Sequence, residues 1–119
     1  MPRLRIWNQT RGGQLASRAD IADTSAKRRT GLLKHSTLNA GEGLWIAPCE
    51  AVHTFGMRFA IDVLYLDKKR RVLKIRDSMK VRRMSVCFRA YSVLELPAGT
   101  SKTAGTCLGD QLEFEKYEE

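Results

Sequence analysis

The chain is 119 residues long, 43% hydrophobic and 29% charged, with a formal net charge of +8 at pH 7. This balance excludes a low-complexity or disordered chain and suits one β-rich domain over residues 1–119, able to bury a core without disulfide or metal staples. No apolar run approaches the ~20 residues needed to span a bilayer, and Met1-Pro2-Arg3-Leu4-Arg5-Ile6 lacks the apolar stretch of a secretory signal, so a cytoplasmic protein with no membrane partner is expected.

Arg3 to Trp7 alternates charge with bulk, the period of a half-buried strand, and Arg11-Gly12-Gly13 reads as the turn after it. Leu15 to Ala22 continues as a second strand. Asp23-Thr24-Ser25 then offers capping side chains to a short helix through Arg29 that stops near Gly31. Its apolar stripe, Ala22, Ala26, Leu32 and Leu33, is thin, which predicts a helix laid against a sheet. From Gly43 onward the pattern is β. Leu44 to Ala47 ends at Pro48; Ile61 to Leu66 is a dense apolar run paired with Val72 to Ile75 across Asp67 to Arg70; Tyr91 to Leu96 closes at Pro97. Ala98 to Gly105 allows one helical turn, and Gln111 to Glu115 is a last strand with Leu112 and Phe114 inward. Many short strands punctuated by Gly and Pro predict an all-β sandwich or barrel with one or two short helices.

Basic charge concentrates between Lys68 and Arg83, whereas Asp110, Glu113, Glu115, Glu118 and Glu119 make the C-terminal end acidic. Lys68, Lys69, Arg70 and Arg71 form a candidate patch for an anion or an acidic partner. Nucleic acid is the less favoured partner, because no recognition motif accompanies the charge and a hairpin tip is an ordinary place for solvated lysines.

Asp62 stands out because its neighbours within Phe59 to Leu66 are apolar, so its carboxylate must find donors or a ligand. Glu95, between Leu94 and Leu96, is a weaker case, readable as a solvent-facing residue of an alternating strand. His53 lies in Cys49-Glu50-Ala51-Val52-His53-Thr54-Phe55-Gly56-Met57, a mixed polar and soft segment suited to a cleft. Four extended residues separate Cys49 from His53 by roughly 13 Å, too far for a thiol–imidazole dyad without a turn at Glu50. The same spacing lacks the paired ligands of a zinc site, and no metal or cofactor is expected. Cys49, Cys87 and Cys107 read as reduced thiols serving as small apolar side chains. Gly99-Thr100-Ser101-Lys102-Thr103 fails as a nucleotide loop, lacking glycine directly before the lysine, although its N–H groups suit one anion.

Taken in order, Gly31-Leu32, Gly43-Leu44-Trp45, His53 to Val63, Val93-Leu94-Glu95-Leu96-Pro97-Ala98-Gly99 and Gly109-Asp110 make the chain resemble domain-of-unknown-function family 192 of bacteria and archaea, over about Leu15 to Phe114. The resemblance implies a small β-sandwich or barrel of jelly-roll-like character and brings no activity. Ala60, where the family usually has proline, and Val81-Arg82, where it has Pro-Trp, are departures that free local backbone. Relatives with Trp-Met-Lys-Asn-Thr in place of His53 to Met57 argue against a family-wide histidine mechanism. The expected function is non-enzymatic binding of a small molecule or peptide by a monomer or weak homo-oligomer, in a pocket around His53, Thr54, Met57 and Asp62. The alternatives are an enzyme with Asp62 or His53 as general base, and an electrostatic module built on Lys68 to Arg83.

Overall fold

The computed structural model describes residues 1–119. Strands β1 (Pro2–Asn8) and β2 (Gln14–Ala22) form the first hairpin, with Leu4, Ile6 and Asn8 turned inward as the alternation requires. Helix α1 (Ser25–Thr30) follows; Thr24 caps it by accepting from Lys27 N at 3.2 Å, and Gly31 ends it at φ 48°. No residue of α1 is buried; Ala22 and Leu32, just outside its ends, carry the packing expected of the helix. The segment from Asp23 to Gly41 is a crossover, because β3 (Glu42–Ile46) pairs with β2 in parallel, Asp20 opposite Leu44.

The remaining strands are β4 (Ala51–His53), β5 (Ile61–Leu66), β6 (Val72–Met79), β7 (Met84–Val86), β8 (Ser92–Pro97) and β9 (Leu112–Glu118), with a single turn of helix, α2 (Thr100–Thr103), after β8. Seven of them make one mixed sheet in the order β6-β5-β8-β3-β2-β1-β9; β4 and β7 form a separate antiparallel pair. An Arg71–Gln111 bridge, with Val72 N donating to Asp110 O at 2.9 Å and Leu112 N to Arg70 O at 3.0 Å, joins the two outermost strands at one end and curls the sheet towards a barrel. The fold is thus β-dominated, as the sequence predicts. Strand β6 runs four residues beyond Ile75, to Met79. The three-residue β4 and β7 and the parallel β2–β3 pairing are new.

Two apolar clusters lie on opposite faces of the sheet. Inside the curl are Leu4, Ile6, Leu64, Leu66, Leu94, Leu96 and Leu112, while Ile46, Val52, Met57, Ile61, Val63, Tyr65 and Val93 fill the layer under β4, β7 and the segment after α1. All six residues of β5 are buried because both its faces are covered, which is why Ile61 to Leu66 reads as an unbroken run. Cys49 and Cys87 sit at the edge of the outer layer, but Cys107 is exposed and takes no part in the core; all three are free thiols.

Candidate functional site

A cavity of about 160 Å³ opens in the outer layer, between the end of α1, the chain from Pro48 to His53, and β8. Leu32, Ile46, Val52 and Met57 form its apolar walls. Alternation along β8 sends Leu94 and Leu96 into the curl and Val93 and Glu95 to the outer face, so Glu95 becomes a polar group in the cavity lining. Its cross-strand neighbours are Leu44 on β3 and Val63 on β5, neither of which offers a side-chain donor. Glu95 is 4% exposed and makes no hydrogen bond or ion pair within the chain; burial alone pushes its carboxyl from 4.5 up to about 7.

This overturns the reading of Glu95 as a solvent-facing strand residue. A lone acid between leucines signals a surface only when one sheet face is open to water, and β8 is covered on both.

Cys49, His53, Arg28, Arg29 and Thr30 complete the polar lining. Burial pushes the Cys49 thiol up, so it stays protonated near neutral pH, and it donates to Ala51 O at 3.2 Å. His53 is exposed on β4, opposite Met84 of β7, with its ring 6.0 Å from that of Phe55. Its ring makes no hydrogen bond within the chain and does not pair with Cys49. The lining therefore offers a protonated thiol and a carboxyl rather than an activated nucleophile.

The four residues expected to share a pocket separate into two sets. His53 and Met57 line the cavity. Thr54 is fully buried beside it and ties down the loop before β7: its hydroxyl donates to Lys80 O at 2.6 Å and accepts from Arg83 N at 2.9 Å. Asp62 points to the other face of the sheet, where it accepts from Ser78 N (2.8 Å), Gly99 N (3.1 Å), Ser101 N (2.8 Å) and the Ser101 hydroxyl (2.8 Å). The anion at the N–H groups of Gly99 to Ser101 is thus the chain's own carboxylate.

Of the basic tip, Lys68 and Lys69 are exposed, whereas Arg70 lays its guanidinium 4.2 Å from the Phe114 ring and Arg71 donates to Gln111 Oε1 at 3.3 Å. A shallow depression beside it is lined by Asp67, Arg89 and Tyr91 as well as by Lys68, Lys69 and Arg71.

A profile of domain-of-unknown-function family 192, described as "Uncharacterized ACR, COG1430", matches residues 6–114. The chain belongs to this family. A UPF0127 protein of Thermococcus sibiricus is 31% identical over 119 residues, covering 96% of this chain and 77% of its own length. A second UPF0127 protein, of Thermococcus kodakarensis, is 30% identical over 96% of this chain and 75% of its own. Among solved structures, a protein of unknown function from Novosphingobium aromaticivorans superposes with a TM-score of 0.79 at 21% identity, covering 93% of this chain and 83% of that one. A Sinorhizobium meliloti protein, named provisionally as a transcription regulator, gives a TM-score of 0.82 at 21% identity over 95% and 92%. At that identity the two structures establish a shared fold. Membership in the family assigns no activity, so function rests on the cavity's chemistry.

Proposed function

We propose that this family member is a non-enzymatic binding protein whose ligand is a small molecule held in the cavity above Glu95. One observation carries the reading: a glutamate only 4% exposed, lining a cavity, whose carboxyl has no donor within the chain. Buried polar groups are paired in nearly all native structures, and an unpaired one in a concave, mainly apolar site is what a ligand's polar atom completes. Binding is favoured over turnover by the state of the candidate bases. Asp62 has four protein donors and does not line the cavity, and His53 has no partner to orient its ring.

Native against denaturing mass spectrometry of freshly purified protein, with elemental analysis of the same sample, tests this reading. A stoichiometric extra mass, absent from Glu95→Gln, is the expected result. A bare chain mass in parent and variant alike, with no small molecule raising the melting temperature of the parent, would sink it.

A further inference from the structure

Resting on that reading, we infer that the cavity takes a small zwitterion of the aliphatic amino-acid class, its ammonium group on the Glu95 carboxylate and its carboxylate towards Arg28 and Arg29. Charge is arranged along the cavity in that order. The buried end presents Glu95, a group that accepts hydrogen bonds and has no cation of its own. The α1 end is lined by Arg28 and Arg29 and by no carboxylate, Glu95 being the only acid of the lining; the Arg28 guanidinium donates to Asp23 O at 3.5 Å and Ser25 Oγ at 3.4 Å, so it turns towards the cavity only by leaving these long bonds. Between them the walls are Leu32, Ile46, Val52 and Met57, which suit an unbranched or branched aliphatic body and leave few hydrogen-bonding groups for a polyhydroxylated one.

Size limits the ligand further. A cavity of about 160 Å³ is of a size to enclose one small molecule such as a single amino acid. A lone amine would leave the arginine end unanswered, and a lone carboxylate would set like charge against Glu95.

The titratable and charged groups around Glu95 are Cys49 from the chain before β4, His53 from β4, and Arg28 and Arg29 from α1; β3 and β5 set Leu44 and Val63 directly opposite, with Tyr65 two residues further along the same face of β5. An ammonium arriving at Glu95 holds it ionised, so a carboxyl that titrates near neutrality sheds its proton on binding. With the group half protonated near pH 7, binding releases about half a proton per ligand. A neutral ligand releases none.

Calorimetry of the parent protein at pH 7, in two buffers of different ionisation enthalpy, tests the assignment without a variant. The probes are alanine, valine, leucine and methionine, with 3-methylbutylamine and 4-methylpentanoate as the two halves of leucine. The expected result is that one amino acid binds at least tenfold tighter than either half and releases about half a proton. Replacing Arg28 and Arg29 together by alanine should bring the amino acid down to the level of the amine while leaving the amine itself unchanged. Binding without proton release, equal binding of either half, or no binding of any probe would overturn the zwitterion. In those cases a neutral compound retained in native mass spectrometry and lost from Glu95→Gln leaves the cavity's binding role standing. A bare parent mass removes both.

Discussion

Asp62 and Glu95 are single acids set among apolar residues on adjacent strands of one sheet, and their surroundings give them opposite roles. Asp62 lies at the end of β5, where Ser78 of β6, Gly99 before α2 and Ser101 within α2 bring four donors to it, two on each oxygen. An asparagine there keeps one acceptor and turns an NH₂ group against two donors, so Asp62→Asn should lose about 3 kcal/mol of stability. Urea unfolding checks this; a variant as stable as the parent would return Asp62 to the list of ligand-binding residues. Glu95 lies mid-strand, where the flanking ladders have already used the nearby backbone groups. Its carboxyl titrates at about 7 when folded and near 4.5 when unfolded. Below 4.5 both states are protonated and pH has no effect through this group. Above 4.5 the unfolded chain ionises first, so stability falls until about pH 7 and then levels off, by up to about 3 kcal/mol for a shift of this size. Glu95→Gln should remove that fall, matching the parent near pH 4.5 and exceeding it at pH 8. Parallel curves for parent and variant would show that the carboxyl is ionised in the folded protein.

At the scale of elements, the floor of the cavity depends on how closely β3 approaches β8. Gly43 sits at that approach: a Cβ there would meet Glu95 O at 3.1 Å and Leu96 Cδ2 at 3.0 Å. The leucine tip can move, but the carbonyl belongs to a strand paired on both sides. Gly43→Ala should therefore cost about 2 kcal/mol and displace Glu95 from the cavity floor. A lower melting temperature together with weaker ligand retention is the expected pair of results; a melting temperature equal to the parent's refutes the packing argument. Long elements such as β1, β2, β5 and β8 were legible in the sequence because apolar period and flanking Gly or Pro act locally. Strands β4 and β7 were not, since three residues carry too little periodicity and each is held by a partner some thirty positions away. The parallel β2–β3 register is likewise non-local. So is the cavity: Cys49, Ala51, Val52, His53 and Met57 come from the segment whose composition pointed to a cleft, but α1 and β8 supply Arg28, Arg29 and Glu95 from far along the chain. Asp62 and Glu95 show the same limit, because the local pattern reports that an acid is buried and tertiary contacts decide whether it is paired.

Over the whole molecule, the curl of the sheet is held by the seam between β6 and β9, and one more buried acid, Asp110, anchors it. Burial would raise its carboxyl, but Arg11 Nε at 3.1 Å, Asn8 Nδ2 at 2.8 Å and Cys107 N at 2.9 Å outweigh that and hold it below the usual carboxylate range. Asp110 thus ties β1 and the turn after it to the chain that enters β9, while its own carbonyl accepts from Val72 at the start of β6. A lowered carboxyl contributes stability that is fully present above its unfolded value and is lost as pH falls through its folded value. Glu95 acts on the other side, withdrawing stability as pH rises from 4.5 towards 7. Together they predict a stability maximum between the two unfolded values, 3.8 and 4.5, with an acid limb belonging to the seam and a neutral limb belonging to the cavity. The two groups share no partner, so their effects should add. Urea midpoints measured from pH 3 to pH 8 should show Asp110→Asn flattening only the acid limb and Glu95→Gln only the neutral one. If Asp110→Asn leaves the acid limb unchanged, other carboxylates govern acid unfolding and the seam is held by its backbone bonds alone.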